Sequence, residues 1–442
     1  VEKNNQHFLI TKGAPENILK ICDNFSDGNK NKKFSPEFLS LAQKEYDNLS
    51  QEGFRVLAVA FKEVIDKKET YHKNDEQNLT LLGFMAFLDP AKEGVLETIA
   101  DLKELGVEVK ILTGDSEVLT RKICQDIGLE ITGIITGDEV EKLSEEELEA
   151  KVLVTSVFAR VNPEQKERIV LALEKKGLAV GYLGDGINDA PALKAADVGI
   201  SVNNAVDVAK ETADIILLQK SLEVLKDGII EGRKTFRNTL KYIMMGLSSN
   251  FGNMFSMTFA SFFLPFLPML PAQVLLNNFL YDMSQLTLPT DLVDADSVKK
   301  PLRWDLGFIR KYMFIFGPVS SLFDFITFGL LLLVFKLSES QFQTGWFIES
   351  IATQVFVIYV IRSKKIPFIQ TRPSWPLLFS TLLIVVALAW VLPFTNFGSY
   401  FGFQALSGKI LLSIGLVVLV YLIMAEGMKC LFYHGRLTHQ EK

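Results

Sequence analysis

The placement of apolar residues constrains the fold of this chain more than any other feature. Residues 1 to about 235 are mixed polar sequence, whereas residues 242–433 contain repeated apolar runs of about 20 residues, the length of a helix that crosses a lipid bilayer. A mean hydropathy of +0.22 over 442 residues agrees with this division. The sequence therefore predicts a polar first half and a second half that lies in a membrane.

Six membrane spans are predicted, and each is bounded by charges, prolines or glycines. They cover roughly residues 242–264, 271–290, 310–335, 345–361, 376–393 and 409–432. Basic residues gather before the first span and in the second and fourth connections, while the other connections contain almost none. By the positive-inside rule, the polar half and the carboxy-terminal tail are expected in the cytoplasm.

The first two spans carry polar side chains where lipid would penalise them. Asn250 and Asn253 are three residues apart, and Asn278 and Asp282 are four apart, so each pair shares one helix face. Together they offer a cation several oxygens and one carboxylate. The uncharged ones could equally join helices through hydrogen bonds. A carboxylate near the bilayer centre costs at least about 2.5 kcal/mol, which favours an ion path that faces the bundle interior.

Two more carboxylates fall in later spans. Asp324 lies midway along the third span, where it could be an ion ligand, a proton carrier or a buried partner for neighbouring serines. Glu349 lies near the outer end of the fourth span and is expected to reach water. These positions leave the role of Asp324 open.

The polar half alternates short apolar runs with helix-like stretches. Buried strands are expected at residues 79–88, 107–112, 157–161, 178–183, 198–202 and 215–218. This alternation predicts a parallel sheet with helices on both faces. Thr113, Gly114 and Asp115 follow one strand, and the run GDGIND at residues 184–189 follows another. Ligands of such sheets bind beyond the carboxyl ends of the strands, so a phosphate site is expected there.

The residue types in these segments suit phosphate chemistry. Asp185 and Asp189 supply hard oxygens for Mg²⁺, and Asn188 can hydrogen-bond a phosphoryl oxygen. Lys166, one turn into a helix, would neutralise charge on a transferring phosphoryl group. An isolated Gly-Asp-Gly would be an ordinary turn. Its extension to GDGINDAPALK, over residues 184–194, argues against that interpretation.

At these residues the chain resembles the P-type ATPases. The resemblance rests on GDGINDAPALK, on TGD at residues 113–115 and on KGAPE at residues 12–16, with Asp89 and Pro90 at the return from the nucleotide domain. It implies an α/β haloacid-dehalogenase-like (Rossmann-type) domain, a partial α+β nucleotide-binding domain and an all-α bundle of six transmembrane helices. The implied boundaries are 1–84 for the nucleotide domain, 85–225 for the phosphorylation domain, 226–241 for a stalk and 242–442 for the membrane domain.

The resemblance also implies roles for individual residues. Lys12 would lie beside the adenine of ATP, and Arg55 would reach its phosphates. Asp185 and Asp189 would hold the catalytic Mg²⁺. The remaining residues expected to act on the phosphoryl group are Thr113, Gly114, Asp115, Lys166 and Asn188.

The transported ion is indicated by the first two spans. The runs NFGN at 250–253, LPFLPMLP at 264–271 and NNFLYD at 277–282 resemble the magnesium-transporting branch, whereas calcium pumps have glutamate in place of Asn253. The implied ligands of the transported ion are Asn250, Asn253, Asn278 and Asp282. ATP, a divalent cation, most simply Mg²⁺, and the lipid bilayer are the expected partners. A net charge of −6 offers no basic surface for nucleic acid.

The resemblance also shows which parts of a pump are missing. There is no Asp-Lys-Thr-Gly-Thr loop with the phosphorylated aspartate, no actuator domain and none of the first four membrane helices, and Asp89 lacks the residues that would make it a substitute. The chain is therefore expected to be an inactive carboxy-terminal fragment of a multi-pass magnesium importer of the bacterial inner membrane, with both ends cytoplasmic. The alternatives are a pump for calcium or another cation, a tethered phosphatase, which would need an Asp-x-Asp loop, and a non-catalytic membrane fragment.

Overall fold

The chain divides into two compact units, and each has its own hydrophobic core. A computed structural model describes residues 1–3, 6–28, 30–64, 70–88, 94–219 and 221–437. The first unit is Val1–Asp227 and the second is Gly228–Lys442. The first contains two clusters of buried apolar side chains and the second contains one.

The first unit begins with a six-stranded sheet of order β1-β2-β5-β6-β3-β4. Its strands and helices are β1 (Glu2–Lys3), β2 (Gln6–Gly13), α1 (Pro15–Ile18), β3 (Cys22–Ser26), β4 (Asn31–Lys33), α2 (Pro36–Gln51), β5 (Phe54–Val64) and β6 (Leu79–Leu88). Strand β5 is antiparallel to both β2 and β6. The expected place of residues 79–88 in the parallel sheet is therefore wrong, because β6 pairs along its length with β5. Asp89 and Pro90 lie outside the described residues.

Two three-stranded parallel sheets follow, where the sequence predicts one sheet. Their orders are β7-β9-β8 and β10-β11-β12. The elements are α3 (Val95–Glu104), β7 (Ile111–Leu112), α4 (Glu117–Asp126), β8 (Ile134–Thr136), α5 (Gly137–Lys142), α6 (Glu145–Val154), β9 (Val157–Ala159), α7 (Pro163–Lys175), β10 (Gly181–Leu183), α8 (Ala190–Ala195), β11 (Val198–Val202), α9 (Asp207–Thr212) and β12 (Ile215–Leu217). Strands β7 and β10, which precede the two predicted phosphate segments, both lie at the end of their sheets.

The second unit is helical. Its helices are α10 (Leu222–Phe263), which begins just before the unit boundary, α11 (Pro271–Gln285), α12 (Ala295–Val298), α13 (Leu306–Gly329), α14 (Glu339–Ile361), α15 (Trp375–Leu382) and α16 (Gly408–Leu437). Among the described residues, four helical stretches are long and apolar enough to cross a membrane: Leu306–Val334, Glu339–Ile361, Trp375–Phe394 and Gly408–Tyr433. The predicted count of six is not confirmed, because α11 has only 15 residues and α10 carries polar side chains through its apolar part.

Helix α14 lies at the centre of the second unit, since every side chain from Phe342 to Val355 is buried. Helices α10 and α13 approach closely where two glycines meet. A Cβ on Gly252 would lie 3.0 Å from the carbonyl oxygen of Gly317, and a Cβ on Gly317 would lie 2.5 Å from the Phe251 ring. Small residues at such crossings let membrane helices pack backbone to backbone.

Candidate functional site

The loop after β10 closes around the carboxylate of Asp189. Its Oδ1 accepts hydrogen bonds from Lys166 Nζ at 2.7 Å and from the Tyr182 hydroxyl at 2.9 Å, and its Oδ2 accepts one from the Gly186 amide at 3.1 Å. A Cβ on Gly184 would lie 2.5 Å from Asp189 Cβ, so this tight turn requires glycine. Lys166 therefore contacts the GDGIND loop directly.

The first turn of α7 places Lys166 at this loop. The Asn162 side chain accepts a hydrogen bond from the Gln165 amide at 2.8 Å, and the Gln165 side chain accepts one from the Asn162 amide at 3.0 Å. Pro163 occupies the start of the helix. This capping box fixes the first turn, so Lys166 projects from a rigid support and is only 9% exposed.

The charges of this loop are set by its contacts. Burial acts to raise the pKa of the Asp189 carboxyl, but the hydrogen bonds from Lys166, Gly186 and Tyr182 and the charge of Lys166 outweigh it and hold the pKa below its ordinary value. The pKa of Tyr182 is raised, first by burial and then by the charge of Asp189. Asp189 is therefore ionised and Tyr182 neutral at pH 7.

Asp185 occupies a different environment from Asp189. It is exposed, and with Gly184 it lines a cavity of about 400 Å³ that also borders Thr98 and Asp101 of α3. Asn188 is exposed as well. Three donors hold the oxygens of Asp189, whereas the Asp185 side chain faces the cavity. Mg²⁺ commonly takes one or two protein carboxylates and fills its remaining positions with waters and phosphate oxygens, and the described residues contain no larger cluster of His, Cys, Asp and Glu.

The TGD segment forms a compact turn at the end of β7. The Thr113 amide donates to the Phe158 carbonyl at 2.9 Å, which extends the pairing of β7 with β9. The Thr113 hydroxyl donates to Asp115 Oδ2 at 3.2 Å and accepts from the Asp115 amide at 3.1 Å. Gly114 is exposed beside them. Arg55 Nε lies 3.6 Å from Asp115 Oδ1, so this arginine reaches the phosphate segment.

The KGAPE segment also contacts the phosphate region. Glu16 accepts hydrogen bonds from the Tyr46 hydroxyl at 2.9 Å and from Arg160 at 2.5 Å. Arg160 directly precedes the segment that opens α7. Lys12 is exposed on β2, opposite Val59 of β5. The KGAPE segment is thus joined to the TGD segment through Arg160, whose amide donates to the Asp115 carbonyl at 2.9 Å.

The residues predicted to bind the transported ion do not form one buried cluster. Asn250, Asn278 and Asp282 are exposed in the second unit, and Asn253 is half-buried. Within this unit, the three exposed residues do not face the bundle interior. The reason is helical geometry: the buried face of α11 is the one that carries Asn277, and the neighbouring Asn278 lies on another face.

A different polar cluster is buried between α10, α11 and α14. Ser350 Oγ lies 2.6 Å from Gln354 Nε2, 3.4 Å from Asn253 Oδ1 and 3.5 Å from Asn277 Nδ2. Asn277 Oδ1 and Gln354 Oε1 have no hydrogen-bond partner within the described ranges. Of these four residues, only Asn253 is among the ion ligands predicted from sequence. The four-residue spacing of Ser350 and Gln354 inside an apolar span was the available signal.

The later carboxylates are buried. Asp324 Oδ2 accepts a hydrogen bond from Ser256 Oγ at 2.5 Å and Oδ1 accepts one from Trp346 Nε1 at 2.9 Å, so the alternative of a serine partner for Asp324 is confirmed. Glu349 is fully buried, and the prediction that it reaches water is wrong. The cause is the central position of α14, which buries all of its faces.

Asp291, which the sequence analysis did not identify, is a third buried carboxylate of the second unit. It accepts hydrogen bonds from Arg362 Nε at 2.9 Å, from Lys241 Nζ at 2.8 Å and from the Ser374 amide at 3.2 Å. The side chains of Lys241 and Arg362 are 8% and 1% exposed. Asp291 thus ties together α10, the end of α14 and the start of α15.

Comparisons with known proteins match both units. The family model described as "P-type ATPase, cytoplasmic domain N" matches residues 1–94, and the one described as "Cation transporting ATPase, C-terminus" matches residues 266–431. "Magnesium-transporting ATPase, P-type 1" of Salmonella typhimurium (strain LT2) is 47% identical over 409 residues, which are 92% of this chain and 45% of that protein.

Other relatives extend this similarity. The protein of the same name from Escherichia coli (strain K12) is 46% identical over 409 residues, again 92% of this chain and 45% of that protein. "Calcium-transporting ATPase 1" of Lactococcus lactis is 37% identical over 258 residues, 58% of this chain and 29% of that protein. The chain spans about half the length of the magnesium-transporting relatives that it matches.

Proposed function

The chain belongs to the P-type ATPase family, and from this membership we propose that the intact protein containing it imports magnesium across a membrane, driven by ATP. The observation that carries the proposal is the extent of similarity to magnesium-transporting relatives. It covers 92% of the chain and so includes both the phosphate loop and the polar membrane helices. Similarity to the calcium-transporting relative covers 58%.

In the proposed reaction, ATP phosphorylates an aspartate that another segment of the intact protein places beside Thr113 and Asp185. Strands β7 and β10 both end their sheets, and a further strand paired with both would present its carboxyl end between these two residues. This joined sheet would be the haloacid-dehalogenase-like domain. Lys12 and Arg55 would hold the nucleotide, and the contact of Arg55 with Asp115 supports that placement.

Mg²⁺ would be held by Asp185, supported by Asn188 and Asp189, and would neutralise charge on the transferring phosphoryl group. Lys166 would add a second positive charge from a fixed position. Its contact with Asp189 keeps it at the loop before any substrate binds. Such preorganised charge is the main contribution that a protein makes to phosphoryl transfer.

The proposal assigns six membrane helices, with α10 and α11 as the first two and both ends in the cytoplasm of a bacterial inner-membrane protein. The proposed domains are 1–84, 85–225, a stalk at 226–241 and 242–442. Helix α10 is continuous and contains both Asn250 and Asn253, which supports mechanical coupling between phosphorylation and the ion path.

Asn250, Asn253, Asn278 and Asp282 are the proposed ligands of the transported ion. Three of them are exposed in this unit, and an exposed carboxylate against lipid is costly. We propose that further helices of the intact protein cover this face and complete the path.

The test uses the intact protein in proteoliposomes. Asp282→Asn should abolish Mg²⁺-stimulated ATPase activity and Mg²⁺ uptake, while Asp296→Asn, a control in an exposed segment, should retain both. Undiminished activity in Asp282→Asn would contradict the site. Uptake of Ca²⁺ and not of Mg²⁺ by the wild-type protein, with Mg²⁺-ATP supplied, would replace magnesium with calcium as the transported ion.

A second measurement concerns this chain alone. Incubated with labelled ATP, it should form no acid-stable phosphoenzyme, since the proposed nucleophile lies in another segment. Acid-stable labelling would overturn that assignment.

A further inference from the structure

Two parts of the first unit meet at the carboxylate of Glu16. Glu16 lies on α1, which follows β2 of the six-stranded sheet, and Arg160 follows β9 of the parallel sheet β7-β9-β8. Arg160 donates to Glu16 Oε1 at 2.5 Å, and the Tyr46 hydroxyl of α2 donates to the same oxygen at 2.9 Å. We call these three residues the Glu16 bridge.

The backbone of Arg160 is fixed against the TGD turn. Arg160 has a φ of +53°, in the left-handed region that residues other than glycine rarely adopt. Its amide donates to the Asp115 carbonyl at 2.9 Å, and the following amide, of Val161, donates to the Thr113 carbonyl at 3.0 Å. These two hydrogen bonds maintain an unfavourable backbone conformation. A group that binds the Arg160 guanidinium is therefore held at a defined distance from Thr113.

Tyr46 supports the bridge from the other part of the unit. Its side chain is buried, and burial, followed by the hydrogen bond to Glu16, raises the pKa of its phenol above the ordinary value. The phenol therefore remains protonated at pH 7 and can donate. Arg55 of β5 makes a second connection to the TGD turn, because its Nε lies 3.6 Å from Asp115 Oδ1. Two ion pairs thus connect the six-stranded sheet and its helices to this turn.

The inference rests on the proposed function, in which Lys12 and Arg55 hold the nucleotide and Thr113 belongs to the phosphoryl site. We propose that Glu16 is a positioning residue, which acts through Arg160 to hold the nucleotide-binding part of the chain where the phosphates of ATP reach the TGD turn. The ion pair forms without nucleotide, so part of the entropy cost of alignment is met before ATP binds.

The exposure of the ion pair sets the size of the expected effect. The side chains of Arg160 and Glu16 are 51% and 28% exposed. Ion pairs of this kind contribute modestly, so loss of the charge of Glu16 should change the rate of phosphoryl transfer by about two- to fivefold. Glu16→Gln is the appropriate variant, because glutamine keeps the size of the side chain and an oxygen that can accept from Tyr46.

Single-turnover phosphorylation of the intact protein by labelled ATP tests the positioning role. At saturating ATP, Glu16→Gln should form the phosphoenzyme about two- to fivefold more slowly than wild type. The ATP concentration that gives half the maximal rate should stay unchanged, because Glu16 acts on alignment and not on nucleotide binding. Glu37→Gln, which changes an exposed glutamate in the first turn of α2, should leave both quantities unchanged.

A double-mutant cycle tests whether Glu16 acts through Arg160. In an Arg160→Gln background, Glu16→Gln should slow phosphorylation no further, since the interaction is already lost. Equal slowing by Glu16→Gln in both backgrounds overturns the proposal. So does a wild-type rate in Glu16→Gln, or an effect confined to the half-maximal ATP concentration.

Hydrogen exchange of this chain, without ATP, tests the bridge itself. The amides of Asn17 and Ile18 donate to the Ala14 carbonyl in the turn that carries Glu16, and they should exchange about two- to fivefold faster in Glu16→Gln. The Leu148 amide of α6 should be unaffected. Unchanged exchange at α1 overturns the bridge. Wild-type intact protein that forms no phosphoenzyme overturns the proposed function and with it the positioning role, whereas equal phosphorylation rates in wild type and Glu16→Gln overturn the positioning role alone.

Discussion

Asp189 in the first unit and Asp324 in the second are both largely buried carboxylates, but their partners differ. Asp189 accepts hydrogen bonds from an ammonium, a phenol and a backbone amide. Asp324 accepts hydrogen bonds from the hydroxyl of Ser256 and the indole of Trp346. Among the described residues, Lys166 pairs with Asp189 and no cation pairs with Asp324. A buried carboxylate beside a cation has its charge compensated, whereas one without a cation depends on hydrogen-bond donors or takes up a proton.

Buried carboxylates with a cation partner are not confined to the first unit. Asp291 belongs to the second unit and is fully buried, and yet Lys241 and Arg362 both pair with it. It resembles Asp189 in chemistry and Asp324 in location. Asp291 therefore tests whether pairing with a cation, and not location in the second unit, determines how much a buried carboxylate contributes to stability.

The largest expected effect belongs to Asp291→Ala, because this change leaves two cations buried without a partner. The free energy of unfolding of the second unit should fall by about 3–5 kcal/mol. Denaturant titration followed by tryptophan fluorescence measures it, since the four tryptophans, Trp304, Trp346, Trp375 and Trp390, all lie in this unit. The control Asp296→Ala, with an 83% exposed side chain, should cost less than about 0.5 kcal/mol. Equal free energies of unfolding of the two variants would show that the ion pairs of Asp291 do not stabilise the second unit.

Lys166→Ala tests the role of the cation that pairs with Asp189 in the first unit. If the cation beside Asp189 also serves the transferred phosphoryl group, phosphoenzyme formation in the intact protein should slow by about 10²- to 10³-fold. Lys175→Ala, which removes a 55% exposed lysine from the same helix, should leave the rate unchanged. A rate that Lys166→Ala does not alter would limit this lysine to a structural role.

Several of these features could be predicted from sequence because they are local. The strand expected at residues 198–202 is β11, and the last four predicted spans match the four long apolar helices. In the GDGIND loop, the glycines lie where the backbone turns and the aspartates lie next to that turn. Turn chemistry and apolar periodicity depend on neighbouring residues, so one sequence contains that information.

Features that depend on distant partners were missed. Residues 79–88 form a strand as expected, but their partner is β5, and pairing choice is a property of the whole sheet. Asp282 and Glu349 were placed by span position, yet burial depends on which neighbours cover each helix face. Helix α14 is surrounded, so Glu349 is buried, while α11 presents Asp282 outward. Helical spacing tells which residues share a face and leaves open which face is covered.

Cys22 is a buried acid of the first unit, and no cation acts on it within the part of the chain that the structure describes. Burial first, and then the charge of Asp23, raises the pKa of its thiol to about 11. The thiolate fraction at pH 8 should be about 100-fold below that of an ordinary thiol, which slows alkylation in proportion. Peptide mapping after iodoacetamide treatment should find exposed Cys430 modified well before Cys22. Similar rates would mean that burial without a cation does not disfavour charge here.

The smallest expected effect is the pH dependence of the Asp189 contacts. The folded state lowers the pKa of Asp189, so its contribution to stability is present at pH 7 and is lost as the pH falls below the ordinary carboxyl value of 3.8. Asp189→Asn should therefore cost about 1.5 kcal/mol at pH 7, the typical value of a hydrogen bond to a charged group. The difference between wild type and variant should shrink as the pH falls below 3.8. A urea titration followed by hydrogen exchange of the backbone amides of α7 and β10 reports unfolding of this unit. A constant difference between pH 7 and pH 2 would show that the charge of Asp189 does not stabilise the loop, and the contrast with Asp324 would then lose its physical basis.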